Sequence, residues 1–458
     1  MTKTADIATT ATTTQDYVYV AEYLQRIGTI SLIISLQPGF SASHIQFPDK
    51  PSRTINLVYS QSRCDNKSPP TDELSSPIDL PVEFALRFAG TLKKLSGGRT
   101  ELLSIRTDPQ QDLNKQLNEK LSFLDDGQDS NPWSIKQLKR LETKSKIDGS
   151  IANAAQFKCK SCESKLISSE TITTWKALPS ETWAEMMDFW HCHKPSDDGG
   201  HNHSHAHSDV PDSKTTTTAE PVPSFNPSYA VSSFEAYPST ALVGLSYILF
   251  HRSHFTPESF TELSDIDGAR FPLLTCRSCN AWLGYVDSLQ TFRVFKWNLT
   301  LVSDSTLLLP SLYPDYLFLS ATIAELISSH GIYTFSLLEE DYNPDTKSLK
   351  ADDRELALIW IFNPDIHYCT NANDCSPAVS ESETTITTER GYKVFYSIDP
   401  TVMPELKETR GEIEQLYFPR KVIDSVLTHL DNNSKLYPPE VKTIGNKNWN
   451  VSILDRLK

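Results

Sequence analysis

Two Cys-x-x-Cys pairs, Cys159/Cys162 and Cys276/Cys279, are the residues of this chain whose type and spacing best suit chemistry. Two intervening residues let a tight turn present both thiolates on one side, at two corners of a zinc tetrahedron with Zn–S bonds near ~2.3 Å. Two such turns complete a four-thiolate site. A closed shell of this kind leaves no position for substrate, so the expected Zn2+ is structural rather than catalytic. Small or polar residues just after the second cysteine help the backbone approach the sulfurs, and Asn280 suits that place. More than a hundred residues lie between the pairs, so the metal would be a long-range staple. The spacing also serves disulfide exchange, but redox pairs open a helix in a βαβ setting, which neither pair has. Two unrelated pairs of buried cysteines are the remaining reading.

Cys192 and His193 follow the amphipathic stretch Trp183, Met186, Met187 and Trp190. They are secondary candidates for metal ligation. Cys192 is also a candidate nucleophile, since a neighbouring imidazole lowers a thiol's pKa, and packing is the third reading. His201, His203, His205 and His207 alternate with small or polar residues and read as a solvated run able to hold transition metals loosely. Cys64, Cys369 and Cys375 have no ligand spacing.

Composition narrows the function classes. The 458 residues carry a net charge of −15 with no basic block, whereas phosphate backbones reward clustered Lys and Arg, so direct nucleic-acid binding is disfavoured. Runs such as Leu356 to Phe362 fall far short of the roughly 20 apolar residues that span a bilayer, and no membrane association is expected. Met1 to Gln15 lacks the apolar centre of a secretory signal. Paired thiols in a long chain suit a reducing compartment, so the cytoplasm and nucleus are the expected locations.

The elements that must position the cysteines follow from periodicity. Residues 1–15 read as a disordered tail. Residues 16–150 form a β-rich region, with short β-branched and aromatic runs at Tyr17 to Leu36, Thr54 to Tyr59 and Phe84 to Arg106. A charged helical spacer follows from Leu113 to Lys144, interrupted near Asn131 and Pro132. Residues 151–458 form an α+β region stapled by the zinc, with a disordered insertion at 196–228 and a polar loop at 376–390. Within it Pro179 to Trp190 is a short helix behind a Thr182/Glu185 capping box. Leu317 to Ser328 is a helix candidate, Leu356 to Phe362 a buried strand, and Tyr392 to Ile398 a further strand. Pro419 suits the first turn of a C-terminal helix with Val422, Ile423, Val426, Leu427 and Leu430 on one face. The fold class is α+β, mostly antiparallel β with peripheral helices.

The order of these motifs resembles a known family. Cys159-x-x-Cys162, Trp190-His-Cys-His193 with Pro195, Cys276-x-x-Cys279 with Trp282-Leu-Gly284, Val294-Phe-Lys-Trp297, Leu358-Ile-Trp-Ile-Phe-Asn-Pro-Asp365 and Lys393-Val-Phe-Tyr396 are similar to those of the HECT-like proteins that bind ubiquitin-conjugating enzymes. The resemblance implies a ubiquitin-conjugating enzyme as partner and a ubiquitin-protein ligase activity. It also implies a link to messenger-RNA 3′-end cleavage and polyadenylation through the endonuclease of that machinery. A binding or assembly factor for that endonuclease complex is therefore the alternative function. Pro272-Leu-Leu-Thr-Cys276 is similar to the thioester segment of true HECT ligases, but Cys276 is already taken as a metal ligand. No cysteine follows Cys375, which leaves Cys192 as the motif cysteine for a ubiquitin thioester. The interleaved eight-ligand pattern of a RING is missing.

Overall fold

The computed structural model describes residues 16–61, 73–84, 86–89, 92–94, 100–107, 131–147, 155–178, 234–303, 309–372, 388–399, 413–444 and 449–457. Cys192, His193, the histidine run, the helix proposed before Trp190, the insertion 196–228, the tail 1–15, Leu113 to Leu124, Cys64 and Cys375 lie outside these residues. Mostly antiparallel strands and three α-helices make up the described part. The helices are α1 (Ile135–Ile147), α2 (Tyr316–His330) and α3 (Arg420–Ser434).

The largest sheet has eleven strands among the described residues. Its axis is the 23-residue strand Ser348–Thr370, which borders Thr334–Asn343 and Tyr17–Leu24 along one edge and Glu389–Ser397 along the other. The first strands therefore join a sheet whose other half comes from beyond residue 330. A three-stranded sheet (Phe40–Gln46, Ser52–Gln61, Leu74–Phe84) covers this N-terminal part, burying Ile30, Leu32, Leu57 and Leu80 completely. Two of the described strand pairs are parallel, Thr174–Ala177 with Thr240–Val243 and Thr334–Asn343 with Glu414–Phe418.

Two further sheets carry the cysteine pairs. Gln156–Cys159 lies between Lys165–Ser168 and Leu299–Val302 in a three-stranded sheet. Leu273–Cys276 and Trp282–Val286 belong to a seven-stranded sheet with Thr291–Phe295 beside them. The two sheets share one core with α1, α2 and α3, centred on rings such as Trp133, Phe157, Trp175, Phe250 and Phe292, each fully buried. Within the seven-stranded sheet, Gly284 lets Trp282–Val286 lie close against Thr291–Phe295. A Cβ there would meet the Arg293 carbonyl oxygen at 1.9 Å, which no side chain survives.

The expected elements recur with informed differences. α2 and α3 fall where their periodicity placed them, with Pro419 as the residue just ahead of α3 and Val422, Ile423, Val426 and Leu430 buried. Leu356 to Phe362 is only the middle of a longer strand, and Phe362 is 57% exposed rather than buried. The register shifts between Ile361 and Asn363, and such a bulge re-aims side chains at its position. Glu389 and Arg390, placed at the end of the polar loop, already belong to the strand Glu389–Ser397. Residues 376–387 of that loop lie outside the described part. No helix among the described residues is long and apolar enough to cross a membrane.

Candidate metal centre

Each Cys-x-x-Cys pair sits at the tip of a two-stranded hairpin, and the two tips repeat one hydrogen-bond pattern. In the first, Cys159 O accepts from Glu163 N at 2.8 Å while Cys159 N donates to Ser164 O at 2.9 Å. In the second, Cys276 O accepts from Asn280 N at 2.8 Å while Cys276 N donates to Ala281 O at 2.9 Å. The residue after each second cysteine turns the chain through the left-handed region, with φ of +59° at Glu163 and +57° at Asn280. Asn tolerates that conformation readily, whereas Glu does so at a cost of about 1–2 kcal/mol. That cost persists only where the surrounding turn over-determines it.

The four sulfurs converge. Cys159 Sγ is 3.7 Å from Cys279 Sγ, and Cys162 Sγ is 3.6 Å from Cys276 Sγ. All four lie within 4.8 Å of one another. A disulfide would bring two sulfurs to about 2.05 Å, so these are four free thiols. A tetrahedron with metal–sulfur bonds near ~2.3 Å has edges of about 3.8 Å, which the two cross-hairpin distances match. The residues fit a tetrathiolate metal site. Cys159 and Cys276 are buried, while Cys162 and Cys279 face outward.

Local donors are arranged for sulfur carrying negative charge. The amides of Cys162 and Ser161 point to Cys159, and the Ala281 amide to Cys279. Ser164 Oγ lies 3.1 Å from Cys162 Sγ and 3.3 Å from Cys276 Sγ. Burial pushes the Cys159 and Cys279 thiols up. At Cys162 burial also raises the pKa, but the hydroxyl and amide of Ser164 and the neighbouring thiols outweigh it, bringing it down to about 7.

Residues that spacing alone did not single out surround the centre. Lys160 Nζ pairs with Asp315 Oδ1 at 2.6 Å, just ahead of α2. Asn298, between Thr291–Phe295 and Leu299–Val302, accepts from Lys160 N through its backbone carbonyl at 2.9 Å. Its Nδ2 donates to Trp282 O at 2.8 Å, and its Oδ1 accepts from Lys421 Nζ in the first turn of α3. Lys296, two residues earlier, is fully buried and donates to Pro132 O at 2.8 Å and Trp133 O at 3.2 Å. Burial brings its pKa down to about 7. The resemblance marked Lys296 and Trp297. Only the fold shows that Lys296 holds the segment entering α1.

Beside the centre, Trp282, Phe295, Trp297 and Phe418 form the floor of an open cleft rimmed by Tyr247, Arg293, Glu340 and Tyr417. Phe295 and Trp297 stack with centroids 4.5 Å apart, and Arg293 lies over the Tyr247 ring at 4.8 Å while pairing with Asp287 at 2.8 Å.

The profile of the family described as HECT-like Ubiquitin-conjugating enzyme (E2)-binding matches residues 22–451. An uncharacterized protein of Saccharomyces cerevisiae is 23% identical over 434 residues, covering 95% of this chain and 98% of its own length. An uncharacterized protein of Schizosaccharomyces pombe is 54% identical over 37 residues, 8% of this chain and 10% of its own. No solved structure shows significant similarity to the chain.

Proposed function

Because the chain belongs to the HECT-like ubiquitin-conjugating enzyme (E2)-binding family, we propose that it docks a ubiquitin-conjugating enzyme and promotes ubiquitin transfer to a substrate. The observation that carries this reading is the family match across residues 22–451, nearly the whole described fold. The four cysteines act as the structural ligands of one zinc ion in this reading. The donor set supports zinc: four sulfurs within 4.8 Å of one another suit a borderline-soft cation with no redox chemistry of its own. When bound, the ion supplies a closed cross-link between two hairpins from different sheets. Cys159, Cys162, Cys276 and Cys279 orient it, and the knuckle amides and Ser164 hold their sulfurs.

A thiolate bound in such a centre is a poor ubiquitin acceptor, so Cys276 does not serve as the transfer nucleophile. Cys192 is the candidate if a thioester forms. If none forms, the protein acts as an adaptor, which needs only a rigid scaffold and apolar anchors. The cytoplasm and nucleus suit its free thiols.

Reconstitution tests the reading. Purified protein mixed with ubiquitin-activating enzyme, a panel of conjugating enzymes and labelled ubiquitin should bind at least one conjugating enzyme and speed discharge of its ubiquitin. A reducible protein–ubiquitin adduct lost in Cys192→Ser would establish a ligase with its own thioester. Absence of both binding and discharge across the panel would refute the proposal. Stoichiometric co-purification with the 3′-end processing endonuclease, unaffected by Cys192→Ser, would instead support the assembly-factor role.

A further inference from the structure

We propose that Asn298 is the positioning residue of the four-cysteine centre, holding both hairpins at the separation one metal ion requires. The inference rests on reading the cluster as a metal site. Asn298 is 5% exposed and belongs to neither hairpin. Its backbone carbonyl takes the amide of Lys160, inside the first Cys-x-x-Cys turn. Its side-chain nitrogen donates to the carbonyl of Trp282, where the chain leaves the second turn. One residue thus touches a segment on each side of the sulfur cluster.

The chemistry asks for this residue type. The site presents an acceptor, the Trp282 carbonyl, and a donor, the Lys421 ammonium, to the two ends of one side chain. A primary amide satisfies both at once, and those partners fix which end is nitrogen. A carboxylate would meet the Trp282 carbonyl with no hydrogen to give. A leucine of similar size would leave a buried carbonyl unsatisfied.

Lys421 adds a charge argument. Four thiolates around a divalent cation carry a net charge of about −2. Among the described residues the Lys421 ammonium hydrogen-bonds only the neutral Asn298 side chain, and Asp315, Lys160, Asp341 and Cys159 stand within its electrostatic reach. Lys160 lies on the same side, paired with Asp315. Asn298 therefore anchors an ammonium from the first turn of α3 next to the sulfur cluster, joining that helix to the centre.

The test uses the full chain loaded with zinc, and with cobalt(II) in its place. Cobalt absorption reports the number of sulfur ligands and the symmetry around the ion. Transfer to a chromophoric chelator reports its release. Asn298→Leu and Asn298→Asp are expected to perturb the cobalt bands and to speed release by about tenfold or more, the scale seen when groups orienting metal ligands are lost. Lys421→Arg should behave as the unmodified chain, and Lys421→Met should fall between. Ser452→Ala is the control for mere destabilisation. It removes a buried 2.7 Å bond to the Leu430 carbonyl in a sheet that holds neither hairpin, and its release rate should stay unchanged. An unaltered cobalt spectrum in Asn298→Leu, with release no faster than in Ser452→Ala, overturns the inference. An unmodified chain that binds no stoichiometric metal overturns the metal reading beneath it, so the two failures are distinct.

Discussion

Lys393 Nζ lies 2.7 Å from Glu22 Oε2, an ion pair between residues near opposite ends of the chain. Glu22 is 1% exposed and also accepts from the Tyr437 hydroxyl, while the Lys393 ammonium sits 5.3 Å above the Tyr437 ring. The first strand, the strand Glu389–Ser397 and the segment after α3 meet in this one polar knot. Removing one partner of a buried pair leaves an uncompensated charge and costs about 3–5 kcal/mol. Lys393→Met should therefore lower the urea midpoint strongly. Adding Glu22→Gln should recover part of the loss, because the stranded charge is then gone. Additive single and double variants would show that the two side chains do not interact.

Cys159→Ser or Cys276→Ser should abolish binding of about one zinc per chain and lower the melting temperature, since structural metal binding is itself folding free energy. Elemental analysis of purified variants reads the metal directly. Unchanged zinc in both would remove the tetrathiolate reading. Both residues are buried, so the serine hydroxyl also carries the cost of burying a polar group.

Three buried imidazoles predict acid sensitivity. Burial first of all brings His254, His367 and His429 down to about 4, against 6.5 for an unperturbed ring. Their contribution is complete above pH 6.5 and is lost as pH falls toward 4, because the unfolded chain takes up protons that the folded chain refuses. Each ring adds a slope of up to about 1.4 kcal/mol per pH unit in that window. Urea midpoints at pH 7, 6 and 5 should fall progressively, and His367→Gln should flatten the slope by roughly one third. A flat profile would mean that these rings take up protons in the fold as readily as in the unfolded chain.

Lys296 gives the same sign, displaced to the alkaline side. Its pKa of about 7 in the fold lies below that of a free lysine near ~10.4. From pH 7 to 10 the unfolded chain holds a proton that the folded chain has released, so stability rises with pH across this range. Lys296→Met should erase that rise. A rise of equal size in the variant would assign it to other groups.

Gly284→Ala should prevent folding or cost more than about 3 kcal/mol, well above the ordinary effect of a point change. The added methyl would stand 1.9 Å from a backbone oxygen, and backbone yields far less than a side-chain tip. Soluble alanine variant with an unchanged melting temperature would show that the two strands separate there without penalty.

Much of the candidate centre was legible along the chain. Cys-x-x-Cys spacing is a local property, and each hairpin formed around its own pair. The periodicity of Val422, Ile423, Val426 and Leu430 is equally local, and α3 buries that face. Strand character in Tyr17–Leu24 and Glu389–Ser397 also shows in their β-branched and aromatic runs. Phe362 was misread because a bulge, set by its neighbours' pairing, changes which side a residue faces. Asn298, Asp315 and Lys421 carried no signal, since isolated polar residues have no period.

Residue types and short-range spacing alone determined that this protein has two sulfur-bearing turns, a strand-rich body and an amphipathic helix near its C-terminus. Only the tertiary structure decided that the two turns face each other at 3.6–3.7 Å, that Glu22 meets Lys393, and that one asparagine joins both hairpins to α3. The physical reason is that backbone propensity and hydrophobic period act over a few residues. Which distant donor reaches which acceptor depends instead on how whole sheets pack, and packing is a property of all the side chains together.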